Sequence, residues 1–231
     1  MHVLVTRPEP DAERTAEALR ARGHRVTVAP LLQVQTVDNA EFGPGPYAAL
    51  VLTSANAARV IAAHKRCDEL SKLPVFTVGR HTAEAVEAAG FSTVVSADGG
   101  LPELVRLIAA KLRGGDIVYF AAQERAGDLA GALAAQGIAV ETVVVYRAAT
   151  NPDFDLRRAL GAGVEGVLHY SRRTAQTFLL AAGTAGLIDA ALKLSHYCIS
   201  SEVAAPLRAA GAASVKVAPR PEEAALIGLI S

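Results

Sequence analysis

Cysteine is scarce in this chain. Cys67 and Cys198 stand far apart and outside any C-x-x-C pattern, which excludes a disulfide framework and a zinc knuckle. Both read as small buried hydrophobes in a reducing compartment. Net charge is lacking too: 23 basic and 23 acidic side chains cancel, so bulk charge gives no reason to expect a nucleic-acid or anionic-membrane partner. No apolar run approaches the roughly 20 residues that cross a bilayer. Met1-His2-Val3-Leu4-Val5-Thr6 enters a strand-like run without a basic n-region or cleavage site. A soluble, cytoplasmic protein is expected.

Several chemical signatures are also missing. No G-x-x-x-x-G-K-[ST] or G-x-G-x-x-G follows a strand-like run, and Gly114-Gly115 precedes one, the wrong side for a phosphate loop. His2, His24, His64, His81, His169 and His196 show neither H-x-H nor H-E-x-x-H spacing, so no metal site is expected. Ser54, Ser171 and Ser200 lie outside any G-x-S-x-G elbow and have no assignable histidine partner, which argues against a hydrolase.

What is present is a globular α/β pattern. The 231 residues are half apolar and a fifth charged, enough for two modest cores. Short apolar runs at Val3–Val5, Val26–Ala29, Ala49–Leu52, Val75–Val78, Ile117–Phe120, Val140–Val145, Gly166–Tyr170 and Tyr197–Ile199 alternate with Ala/Leu-rich segments, as in parallel sheets covered on both faces. The clearest helix carries Leu101, Leu104, Val105, Ile108 and Leu112 as one stripe. Gly23, Gly90, Gly137 and Gly211 each end an Ala-rich helix ahead of a valine strand, where glycine supplies a left-handed cap.

Two stretches interrupt the alternation: Leu31–Val37, ahead of Gly43-Pro44-Gly45-Pro46, and Val143–Arg147, ahead of Asn151-Pro152. As extended linkers, near 31–37 and 143–149, they divide the chain into a discontinuous domain of residues 1–33 and 150–231 and an inserted domain of residues 37–146. The fold class expected is two doubly wound parallel-sheet α/β domains joined by a two-stranded linker.

Parallel sheets place ligands at their strand-to-helix turns. Six such turns hold Thr6-Arg7-Pro8, Thr53-Ser54-Ala55-Asn56, Gly79-Arg80-His81-Thr82, Ala121-Ala122-Gln123-Glu124-Arg125, Tyr170-Ser171-Arg172-Arg173-Thr174 and Ser200-Ser201-Glu202. The hydroxyls serve as helix N-caps worth about 1 kcal/mol each, or as anion donors. The arginines are less easily explained, because a cation at a helix N-terminus opposes the macrodipole by about 0.3 to 1 kcal/mol unless an anion is near. Each one either turns to solvent, pairs with a carboxylate such as Glu9, Glu84 or Glu124, or meets a ligand. Together they point to a ligand with several negative groups.

At these residues the chain resembles the uroporphyrinogen-III synthase family over nearly its whole length. The resemblance is carried by Val3–Pro8, Leu52-Thr53-Ser54-Ala55-Asn56-Ala57, Val78-Gly79-Arg80-His81-Thr82-Ala83, Val144-Val145-Tyr146-Arg147, Tyr170–Thr174 and Ile199–Ala204, taken in order. One departure is that Ser200 and Val203 stand where family members often carry glycine and threonine, so no polar side-chain contact is expected of Val203.

The resemblance implies a cofactor-free lyase with hydroxymethylbilane bound in a cleft between two domains; a monomer is the default expectation. Hydroxymethylbilane is an open chain of four pyrroles bearing eight carboxylates. The terminal hydroxymethyl group leaves as water, the azafulvene is attacked to form a spiro intermediate, and ring D is inverted before closure. Tyr146 is implied to hydrogen-bond the departing hydroxyl, although packing between linker strands explains it equally. Thr6, Arg7, Ser54, Asn56, Gly79, Arg80, Thr82, Ser171, Arg172 and Ser200 are implied to hold carboxylates. Two other classes fit the same turns: a non-catalytic two-lobed binding protein for a carboxylate-rich metabolite, and a doubly wound sugar-phosphate or nucleotide transferase.

Overall fold

The computed structural model describes residues 1–37, 40–125, 127–161 and 163–230. In chain order the elements are β1 (His2–Val5), α1 (Asp11–Arg20), β2 (Arg25–Val28), β3 (Leu32–Thr36), β4 (Tyr47–Leu52), α2 (Ala55–Ala62), α3 (Cys67–Leu70), β5 (Val75–Thr77), α4 (Arg80–Ala88), β6 (Val94–Ser96), α5 (Leu101–Lys111) and β7 (Asp116–Ala122). They continue with α6 (Leu129–Ala134), β8 (Val140–Thr150), α7 (Leu156–Leu160), β9 (Gly166–His169), α8 (Arg172–Thr184), α9 (Ile188–Leu192), β10 (Ser195–Cys198), α10 (Ser201–Ala209), β11 (Ser214–Val217) and α11 (Glu223–Ile227).

Two compact units result, one of residues 1–33 with 149–231 and one of residues 34–148. The chain changes unit inside β3 and inside β8, which are hydrogen-bonded neighbours. The first unit holds a sheet ordered β2-β1-β9-β10-β11, with all four pairings parallel. The second holds β3-β8-β7-β4-β5-β6, parallel from β8 through β6. The α/β class expected of the alternating pattern is therefore observed.

The central apolar runs became strands because their side chains are covered on both faces. Val3, Leu4 and Val5 are wholly buried, as are Leu50, Val51 and Leu52. In β7 the alternation separates two cores: Val118 and Phe120 pack with Leu50, Leu52 and Ile61, while Ile117, Tyr119 and Ala121 pack with Leu104 and Ile108. The α5 stripe thus sits as its spacing requires, and each fully buried aliphatic contributes about 1.5–3 kcal/mol of transfer free energy. Helix α1 shows the same logic, burying Ala12, Thr15, Ala16 and Leu19 with acids in its first turn and Arg20 in its last. Gly23, Gly90, Gly137 and Gly211 have φ of 83°, 91°, 74° and 85°, the left-handed caps expected of them. Among the described residues no helix is long and apolar enough to cross a membrane.

Candidate functional site

Within each unit the sheet order reverses once, and crevices form at the carboxyl ends of the strands flanking that reversal. In the inserted unit these strands are β4 and β7. A pocket of about 460 Å³ opens there, lined by Thr53, Ser54, Tyr119, Glu124, Arg125 and Tyr146, with Gly100, Leu101 and Leu104 of α5 and its approach among the other walls.

Tyr146 reaches this pocket through an irregularity. Ala121 pairs with Val144 but Ala122 pairs with Tyr146, so Val145 is an extra residue on β8. A regular strand would send Val145 and Tyr146 to opposite faces. Here both are buried in the same cluster, at 2% and 8% exposure. The Tyr146 carbonyl accepts from the Gln123 amide at 2.9 Å, which fixes the bulge against the turn after β7. Burial raises the phenol's pKa above its ordinary value, and a hydrogen bond from Ser54 acts in the opposite direction.

Ser54 is placed by its second role. It is the N-cap of α2, its Oγ accepting from the Asn56 amide at 3.1 Å. The same hydroxyl lines the pocket together with the Tyr146 phenol. Asn56 Oδ1 accepts from Arg59 Nη1 at 2.6 Å. On the neighbouring strand β5 the turn begins at Gly79, the N-cap of α4, with extended backbone and no side-chain cap. A Cβ at Gly79 would meet nothing within 4 Å, so neither strain nor crowding requires glycine there. Arg80 is exposed at the first position of α4 and has no ion-pair partner among the described residues; Thr82 is buried two residues on.

In the first unit the reversal lies between β1 and β9, and its own side chains fill it. Arg7 donates to Glu223 at 2.9 Å and Asp11 at 3.3 Å, and its guanidinium lies 4.1 Å from the Tyr170 ring centroid. Glu223 also accepts from Thr15 at 2.5 Å, from Tyr170 at 3.0 Å and from Arg14 at 3.1 Å. Burial, then the Glu223 charge, pushes the Tyr170 phenol far above its ordinary range. Thr6 is wholly buried and donates to the Leu168 carbonyl at 3.0 Å. The dipole mismatch expected of Arg7 is thus resolved by carboxylates at Asp11 and Glu223. The other two turns on this edge are open: Ser171 caps α8 through the Thr174 amide at 3.1 Å, and Ser200 caps α10 through the Val203 amide at 3.4 Å. Arg172 is exposed at the first position of α8 without an ion pair among the described residues. The Val203 side chain is buried against Ala175, Cys198 and Leu207, an apolar cluster, so only its backbone amide serves this turn.

Arg125 departs from the expected placement. The turn after β7 runs on to Asp128, which caps α6, and Arg125 donates instead to the Ala122 carbonyl at 3.2 Å on the rim of the pocket. Sequence reasoning gave no site role to Thr53 or Tyr119. Tyr119 reads as an interior strand residue, and only the length of its ring brings its hydroxyl to the sheet edge, 3.0 Å from Thr53 Oγ1.

The family model described as uroporphyrinogen-III synthase HemD matches residues 13–228. No curated protein matches the sequence. Among solved structures, the chain is similar to uroporphyrinogen-III synthetase from Helicobacter pylori, at 17% identity and a TM-score of 0.69 over 99% of this chain and 97% of that one. It is also similar to a mutant uroporphyrinogen III synthase from the extremely thermophilic bacterium Thermus thermophilus, at 18% identity and a TM-score of 0.57 over 99% and 97% of the two chains. These likenesses establish the shared fold.

Proposed function

The chain belongs to the uroporphyrinogen-III synthase HemD family, and we propose that it closes hydroxymethylbilane to uroporphyrinogen III, as a lyase that expels water and inverts ring D. The observation carrying this reading is the Ser54–Tyr146 pair in the pocket at the β4/β7 reversal. A phenol whose pKa burial holds above its ordinary value stays protonated at neutral pH and so has a proton to donate. Tyr146 donates to the departing hydroxyl of the substrate, water leaves, and the azafulvene cation forms. Attack by the substituted carbon of ring D gives the spiro intermediate, and ring reopening and reclosure invert that ring. Loss of a proton then restores the aromatic pyrrole. The Glu124 carboxylate on the pocket wall, whose charge is felt at Tyr146, favours the cationic stage.

Carboxylate arms are held by the exposed cations and open helix starts: Arg80 with the Gly79 turn and Thr82, Arg172 with the Ser171 turn, and the turns at Asn56 and Ser200. Thr6 and Arg7 spend their side chains within their own unit and serve through the backbone of their turn. The reading includes a monomer acting on a small molecule in the cytoplasm, without cofactor and without nucleic acid. Incubating the purified protein with fresh hydroxymethylbilane, oxidising the products and separating type I from type III uroporphyrin tests it. Type III above the no-protein control supports the reading, and only type I from folded protein overturns it.

A further inference from the structure

The pocket beside Tyr146 contains a second pair of hydroxyls. Tyr119 rises on the face of β7 opposite Val118 and Phe120. Its Cα pairs with Val51, so Thr53, two residues further along β4, lies diagonally across on the same face. The Tyr119 and Thr53 oxygens are 3.0 Å apart, and both residues line the pocket that Ser54 and Tyr146 line from the other face. Consecutive residues of one turn, Thr53 and Ser54, therefore share this pocket with two phenols, one from each side of the sheet.

Two hydroxyls carry two protons, and their mutual hydrogen bond uses one. Whichever oxygen donates, one proton remains for a further acceptor, and both residues line the pocket. Arg125 stands on the rim of the same pocket, its Nη1 given to the Ala122 carbonyl and the rest of its guanidinium uncommitted among the described residues. A spare hydroxyl donor that shares a pocket with a guanidinium suits an anionic oxygen.

We propose that the Thr53–Tyr119 pair, with Arg125, holds a carboxylate arm of the tetrapyrrole next to the reacting ring. This inference rests on the reading of the pocket as the reaction site. It assigns a substrate-contact role to Tyr119 and Thr53, separate from the proton donation by Tyr146. Because a carboxylate arm is held alike before and during the reaction, the pair contributes to binding more than to turnover.

The test uses Tyr119→Phe, Thr53→Val and the double variant, each checked for unfolding temperature. Affinity for uroporphyrin III is read by fluorescence titration, and KM and kcat by type III formation. Each single variant is expected to weaken uroporphyrin binding and raise KM about tenfold, the loss of one hydrogen bond to a charged group, with kcat within about twofold. The double variant should be no worse than either single one, since the two hydroxyls act as a unit. Unchanged affinity in both single variants, or losses that add in the double variant, would overturn the proposal. If wild-type protein forms no type III product but the variants still lose porphyrin affinity together, the carboxylate site stands and the cyclase reading fails.

Discussion

The Ser54 hydroxyl and the Tyr146 phenol line one pocket at the carboxyl edge of the inserted unit's sheet, and the hydroxyl acts on the phenol's pKa against the rise from burial. The same Ser54 oxygen caps α2 through the Asn56 amide. Stability and activity are therefore separable at position 54. Ser54→Ala is expected to cost about 1 kcal/mol of stability through the lost cap and to reduce kcat/KM only a few-fold, because Tyr146 keeps its own proton. Ser54→Asp keeps the cap, aspartate being as good an N-cap as serine, but sets a carboxylate against the substrate's own. It should unfold near the wild-type urea midpoint and lose more than tenfold in kcat/KM. Equal activity of the two variants would argue against a substrate at this turn.

Arg80 and Arg172 occupy the first positions of α4 and α8, exposed and without ion pairs among the described residues. A cation there opposes the helix dipole, so Arg80→Ala and Arg172→Ala should leave stability unchanged or raise it by about 0.3 to 1 kcal/mol. Each should raise KM several-fold, an effect that weakens as salt is added. Thermal melts alongside KM at low and high salt provide the check, and a fall in stability with KM unchanged would assign these arginines a structural role.

Glu223 ties the last helix to the reversal of the first unit's sheet by accepting from Arg7, Arg14, Thr15 and Tyr170. Glu223→Ala leaves Asp11 alone opposite two arginines and leaves the half-buried Tyr170 phenol with only the longer contact to Thr15, at 3.5 Å. It is expected to cost about 2 kcal/mol, moderated by the partial exposure of the carboxylate. Urea denaturation measures this, and a loss below about 0.5 kcal/mol would mean that solvent replaces the network.

His169 and His196 form a buried pair with Nε2 and Nδ1 3.0 Å apart, capped by the Ala191 carbonyl 3.1 Å from His196 Nε2. A carbonyl only accepts, so His196 Nε2 carries the proton, His169 Nε2 donates to His196, and His169 Nδ1 is a bare nitrogen with no donor among the described residues. Burial lowers both pKa values, with the neighbouring His196 adding to the effect on His169. Above about pH 6.5 the folded and unfolded chains both keep the pair neutral. Below it the unfolded chain takes up protons that the folded one refuses. Stability should therefore fall as pH drops through 6.5, by up to about 1.4 kcal/mol per pH unit for each histidine. Urea midpoints at pH 7.5 and 5.5, compared with those of His169→Leu, should show a weaker acid loss in the variant, and an equal loss in both proteins would locate the effect elsewhere.

Much of the fold is legible in local sequence. The eight apolar runs are strands, the α5 stripe packs as its spacing demands, and four glycines cap helices with positive φ. The turns bearing Ser54, Gly79, Ser171 and Ser200 start helices because serine and glycine are N-cap residues. What was hidden depends on tertiary placement. The extra residue at Val145 is a matter of pairing with β7, and no residue type marks it. The acceptor of Arg7 is contributed by Glu223, from the far end of the chain. Tyr119 carried only a strand signal, because nothing local reveals where the tip of a long side chain arrives.

Assigning ring closure to the Ser54–Tyr146 pocket depends on the phenol supplying a proton. Single-turnover formation of type III product should be measured for wild type and Tyr146→Phe, both shown to be folded and to bind uroporphyrin III equally. A drop of about 10²-fold or more in the variant, the range of general-acid contributions, with type I product taking its place, is the expected result. Type III formation at the wild-type rate in Tyr146→Phe would contradict the assignment.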